Sequence, residues 1–183
     1  CIRDSNWEAF GGMGQYVKWA KLAGENVSGH DDFYTNETIK GWYKDYIETL
    51  LNHENVYTGV KYKDDPTVFS WELANEPRCE SDAGCEKNTV VEWATEMSAF
   101  VKSIDSNHML AVGDEGFYNF GYNDFPEGDH KYVYHGSSGM DWSQLTALPD
   151  IDFGTIHVYC DQWGLTKDQG CLLYTSPSPR DCS

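Results

Sequence analysis

From Ile39 onward the apolar residues come in adjacent pairs one turn apart: Ile39, then Trp42 and Tyr43, Tyr46 and Ile47, Leu50 and Leu51. Steps that alternate three and one wind an apolar stripe down one side of an α-helix. Asn36, just ahead, is a residue type whose side chain caps helix N-termini, so the pattern predicts a helix beginning there. Asp64-Asp65-Pro66 then reads as a turn. Behind it, Thr67 to Ala74 is short, rich in β-formers and largely apolar, as a buried strand is. Val90, Ala94, Met97, Val101 and Ile104 predict a second helix from Thr89 to about Ile104. Met109 to Val112 reads as a second buried strand closed by Gly113. A long Gly- and Asp-rich loop reaches about Pro149, and Phe153 to Tyr159 is a third strand candidate.

Helices alternating with short buried strands imply an α/β fold with a parallel sheet. Polar residues gather just past each strand: Asn75-Glu76, Asp114-Glu115, and the pair His157 and Tyr159. A (β/α)₈ barrel places its active site at such strand ends, and a doubly wound sheet places ligands there too. Position alone therefore does not choose between the two.

Charge narrows the partners. The chain carries 13 Lys and Arg against 30 Asp and Glu, a formal charge of -17. That surface repels nucleic acid and anionic membranes, which excludes both as partners. No apolar run approaches the roughly 20 residues of a membrane span. None of the six cysteines (Cys1, Cys79, Cys85, Cys160, Cys171, Cys182) has CxxC spacing, and the six histidines do not cluster with them as zinc ligands would. With no phosphate loop or Ser-His-Asp arrangement either, no metal or cofactor is expected. Cys79 and Cys85 flank a short polar loop that a disulfide would close easily. Two glycosylation sequons, Asn26-Val27-Ser28 and Asn36-Glu37-Thr38, also favour an oxidising, secreted destination. Aromatic residues make up 15% of the chain, with 7 Trp and 12 Tyr, a richness that fits sugar stacking as well as ordinary core.

The segment Trp71-Glu72-Leu73-Ala74-Asn75-Glu76-Pro77-Arg78 carries the most specific chemistry. Glycoside hydrolysis needs a carboxylic acid to protonate the leaving oxygen, its pKa raised by an apolar surround. A neighbouring amide can hold the sugar 2-hydroxyl as the oxocarbenium-like transition state forms. Glu76 and Asn75 are candidates for these roles. Glu115 also follows a buried strand and is a candidate second carboxylate by position.

Asn-Glu-Pro after a strand resembles the fourth-strand motif of retaining (β/α)₈ glycosidases, and the wider pattern resembles the endo-β-1,4-mannanases of glycoside hydrolase family 5. The matching pieces are Asn6-Trp7, Gly11-Gly12 and Gln15-Tyr16-Val17; Asn75 to Arg78; Gly113 to Phe117; and His157-Val158-Tyr159 with Trp163 beyond. The resemblance implies a β-mannan substrate and Glu76 as acid/base, with Asn75 on the sugar 2-hydroxyl. His157 and Tyr159 would point into the site and position the second carboxylate. Arg78, Trp7, Trp163 and Glu115 would line the cleft. It also implies a partial (β/α)₈ barrel, roughly the end of strand 3 through strand 6, with the nucleophile Glu on a later strand. Residues 1–170 are accordingly read as a fragment of a catalytic domain, inactive and unstable alone. Residues 171–183, ending Ser176-Pro177-Ser178-Pro179-Arg180-Asp181, resemble adapter-derived sequence. The alternatives are another hydrolase of the same clan, such as an endo-β-1,4-glucanase or exo-acting β-mannosidase, or a non-catalytic carbohydrate-binding protein.

Overall fold

The computed structural model describes residues 6, 11–80, 85–119, 136–157 and 159. Within them run α1 (Met13–Leu22), α2 (Asp32–Thr35), α3 (Glu37–Leu51), a 3₁₀ turn (Tyr62–Asp64), β1 (Ser70–Glu72), α4 (Thr89–Ile104), β2 (Met109–Ala111) and α5 (Trp142–Leu145). The helix expected behind Asn36 is α3: the Asn36 side chain accepts a hydrogen bond from the Ile39 amide at 3.0 Å. Ile39, Tyr43, Ile47 and Leu51 of its stripe are buried. The second predicted helix is α4, with Val90, Ala94, Met97 and Val101 inward.

Three features differ from the sequence expectation. A helix, α1, buries Met13, Tyr16, Val17 and Ala20 on one face. Gly11, Gly12 and Gly14 around its start mask that period in the sequence. The loop expected to reach Pro149 contains α5, a single turn capped by Asp141, whose side chain accepts from the Ser143 amide at 3.1 Å. Finally, 153–157 forms no strand, although it flanks β2: Asp152 N donates to Leu110 O at 2.8 Å and His157 N to Glu115 O at 3.3 Å. Between these two bonds the ladder is not continuous.

β1 and β2 pair in parallel, Ser70 opposite Met109 and Glu72 opposite Ala111. The ladder outlasts both strands through Leu73 N to Ala111 O, Ala74 N to Val112 O and Glu76 N to Gly113 O, at 3.0, 3.1 and 2.9 Å. The order in space is thus 70–76, 109–115, 152–157, all running the same way. Helices α1 to α4 pack on one another. Between them Tyr16, Phe33, Tyr34, Tyr43 and Trp93 are all buried, with edge-to-face pairs such as Phe33–Tyr43 at 5.1 Å and Tyr34–Trp93 at 5.5 Å. Much of the aromatic richness therefore builds core, and Tyr43 also donates its hydroxyl to the Leu73 carbonyl, tying α3 to the strand that leads to Glu76.

At the other end of the strands, Asp105 is 2% exposed. It accepts from Trp71 Nε1 at 2.8 Å, His108 Nδ1 at 2.7 Å, and the Asn107 and His108 amides at 3.0 and 3.1 Å. Burial alone would raise its pKa, but the bonds from Trp71 and His108 outweigh burial and hold it below the usual carboxylate range. A depressed folded pKa contributes stability that is present above the unfolded value, about 3.9, and lost as pH falls through the folded one. Asp105→Asn puts an amide NH₂ against these donors and is expected to cost about 2 kcal/mol near neutrality. The loss should shrink toward acid pH, read by urea unfolding of the whole protein at several pH values. A pH-independent loss would assign the cost to packing.

Candidate active site

Glu76 arrives at the site because β1 ends there. Pro77 has no amide to extend the ladder, and the last bond before it is Glu76 N to Gly113 O. Glu76 itself has φ 54, in the left-handed region. A non-glycine residue there carries strain of order 1 kcal/mol and persists only where its surroundings over-determine it. Here the Gly113 bond holds one side. On the other, Asn6 N donates to the Asn75 carbonyl at 3.0 Å.

The Glu76 side chain is 6% exposed. Its Oε1 accepts from the Tyr159 hydroxyl at 2.9 Å and lies 3.0 Å from His157 Nδ1. An ionised carboxylate only accepts, so His157 then carries its proton on Nδ1. The same bond to Glu76 raises the pKa of Tyr159, keeping it a donor. His157 and Tyr159, one pleat apart, thus meet the carboxylate delivered by β1. The Asn75 side chain makes no hydrogen bond with the described residues and is exposed.

Glu115, 4% exposed, meets Arg78 Nη1 through both oxygens, at 3.2 and 2.9 Å. Burial pushes its pKa up to about 7; Arg78 opposes that rise and the charge of Glu76 adds to it. Next to it Asp114 is pushed up to about 6, again by burial, against bonds from the Gly116 amide at 3.0 Å and the Thr155 hydroxyl at 3.4 Å. Among the described residues, three carboxyls (Glu76, Asp114, Glu115) and His157 gather at these strand ends with the Arg78 guanidinium. Such an arrangement holds and moves protons at a polar ligand.

The predicted Cys79–Cys85 disulfide is formed, with Cα atoms 6.2 Å apart. Cys79 N donates to Ser138 O at 2.9 Å and Val90 N to Gly139 O at 3.0 Å. The bridge therefore pins residues 138–139 between the loop after Glu76 and the start of α4. Asp31 lies near both sulfurs, but sulfurs bonded to each other offer no thiolate to a metal.

Of the sequence candidates, the structure brings Asn75, Glu76, Arg78, Glu115, His157 and Tyr159 together. Trp7 and Trp163, the expected stacking platforms, lie outside the described residues, as does the 171–183 tail. Sequence reasoning missed a second polar group behind Asn75, formed by Asn6, His30, Asp31 and Glu80. Asn6, the His30-Asp31 pair and Glu80 lie far apart in the chain, and no local pattern links them.

Comparison with known proteins gives a consistent set of relatives. The family described as GH family 5 beta-mannosidase-like matches residues 2–172. Mannan endo-1,4-beta-mannosidase 1 of Oryza sativa subsp. japonica is 47% identical over 168 residues, covering 92% of this chain and 38% of the relative. Mannan endo-1,4-beta-mannosidase 4 of Solanum lycopersicum is 45% identical over 90% of this chain and 40% of its own length. Among solved structures, the endo-beta-1,4-mannanase from Thermotoga petrophila superposes with TM-score 0.77 at 49% identity, covering 89% of this chain and 34% of that one. The endo-1,4-beta-mannanase from Rhizomucor miehei gives 0.75 at 47%, covering 88% and 44%. The chain thus spans about two fifths of the length of these plant relatives.

Proposed function

The chain belongs to glycoside hydrolase family 5, of the β-mannosidase-like kind, its α/β fold part of a (β/α)₈ barrel, and on that footing we propose that the whole protein is a retaining hydrolase of internal β-1,4-mannosidic bonds. Mannan, galactomannan and glucomannan are its substrates. The observation that carries this reading is the buried Glu76, strained at a strand end, with Oε1 held by His157 and Tyr159.

In this reading Glu76 protonates the glycosidic oxygen while a second carboxylate attacks the anomeric carbon, and then takes a proton from the water that frees the enzyme. That second carboxylate comes from the rest of the protein; Glu115, committed to Arg78, forms cleft wall. Asn75 holds the 2-hydroxyl. Arg78 meets sugar hydroxyls, and Trp7 and Trp163 stack on sugar faces. The protein acts outside the cell, a reading supported by the disulfide and by Asn26, exposed in the loop after α1.

The test is hydrolysis by the whole protein of β-1,4-mannan and of β-1,4-glucan, following chain length and product anomer. Rapid shortening of mannan to oligosaccharides with retained configuration is expected. Faster cleavage of glucan would move the assignment to an endoglucanase. Release of mannose alone would indicate exo-action, and binding without cleavage a carbohydrate-binding protein.

A further inference from the structure

Behind Asn75 four residues close a ring through side-chain and backbone groups. His30 Nδ1 lies 2.9 Å from Asp31 Oδ1, and His30 Nε2 lies 3.1 Å from the Asn6 carbonyl oxygen. The Glu80 amide donates to Asp31 Oδ1 at 2.9 Å, and Asn6 Nδ2 donates to Glu80 Oε1 at 3.0 Å. Asn6 and Asp31 are 0% and 1% exposed. Both atoms that His30 faces are acceptors, and a neutral imidazole has only one N–H. Making both bonds requires both protons, so the ring is closed by an imidazolium. From it, Asn6 N reaches the Asn75 carbonyl at 3.0 Å, one residue before the strained backbone of Glu76.

The geometry points to His30, as an imidazolium bridging Asp31 and the Asn6 carbonyl, as a positioning residue that holds the Asn75–Glu76 strand end in its working conformation. The inference rests on Glu76 being the acid/base. Among the described residues, the titratable groups facing His30 are Asp31 beside it in the chain and Glu80 from the loop after Glu76. Tyr34 of α2 adds a ring edge-on at 6.2 Å; its hydroxyl donates to the Arg78 carbonyl, while the Arg78 guanidinium is turned to Glu115. The partners around His30 are therefore acidic. Burial lowers its pKa, but the bond to Asp31, the charge of Glu80 and the bond to the Asn6 carbonyl together raise it above the ordinary histidine value. For a raised pKa, the clamp is whole below the unfolded value, near 6.5, and opens as pH rises through the folded one.

His30→Gln can keep only part of the bridge and does not titrate. In the whole protein its kcat on mannan is expected to fall about tenfold at about pH 5, the effect of losing one charge-assisted hydrogen bond. KM should change little, and the gap to wild type should close as pH rises and the wild-type ring loses its proton. The His30 ring signal in NMR should titrate above the free value of about 6.5. Amide exchange at Asn6 and Glu80 should quicken across the same window. A His30 that titrates at or below the free value overturns the proposal, as does unchanged kcat in the variant. A loss of equal size at every pH overturns it too, since it marks His30 as merely structural. If wild type does not cleave mannan, the hydrolase reading fails on its own, and the clamp is judged by the NMR titration. That titration also decides if the variant does not fold.

Discussion

Glu76→Gln in the whole protein is expected to lower mannan turnover by roughly a thousandfold, the range a positioned general acid/base contributes, while mannan binding persists. The amide keeps the shape of the carboxylate, and its oxygen still accepts from Tyr159 and His157, the two groups bonded to Oε1. What is lost is the transferable proton. The deficit should therefore depend on the leaving group. An aryl β-mannoside whose phenolate leaves without protonation should form the glycosyl-enzyme at nearly the wild-type rate and then stall, because no base activates water. A burst of phenolate followed by slow turnover is the sign to seek in rapid-mixing kinetics. Turnover close to wild type on mannan would remove Glu76 from the acid/base role. An unfolding midpoint equal to wild type excludes a folding explanation for the loss.

Gly113→Ala is expected to destabilise the whole protein by about 4 kcal/mol or more, combining left-handed strain with overpacking. Gly113 sits at φ +85, and a Cβ there would lie 1.9 Å from the Ala74 carbonyl oxygen. That oxygen belongs to backbone in the ladder between β1 and β2, so no side-chain rotation relieves the clash. Gly113 O also accepts the Glu76 amide, and any shift of 113 moves the acid/base as well. Urea unfolding should show the loss, and mannan hydrolysis by the surviving folded fraction should fall too. A variant as stable as wild type would mean that the two strand ends separate at little cost.

Much of the secondary structure was legible because local periodicity and capping set it. Asn36 and the paired apolar steps behind it identify α3, and the inward positions from Val90 to Ile104 identify α4. The strand 67–74 was visible as a run of β-formers, although only Ser70–Glu72 is regular strand. Its reach toward Glu76 depends on bonds to 111–113, residues that no local pattern links to it. The short turn α5 escaped because one turn carries too few residues to show a period. Residues 153–157 look like strand in composition, yet only one of their backbone groups, His157 N, finds a backbone partner on the β2 side.

By itself the sequence determined which chemistry is present: an Asn-Glu-Pro strand end, a His and a Tyr one pleat apart, and two cysteines close enough in the chain to bridge. Those follow from residue types and short spacings, and short spacings constrain geometry directly. Only the tertiary structure decided which group each one meets. It turned His157 and Tyr159 onto Glu76, committed Glu115 to Arg78, and assembled Asn6, His30, Asp31 and Glu80 into a ring. These contacts join residues dozens of positions apart, and their energies arise from burial. Removing water makes every unpaired donor and acceptor costly. The partner chosen is therefore whichever one the packed strands and helices bring within reach, and no local pattern in the chain records that choice.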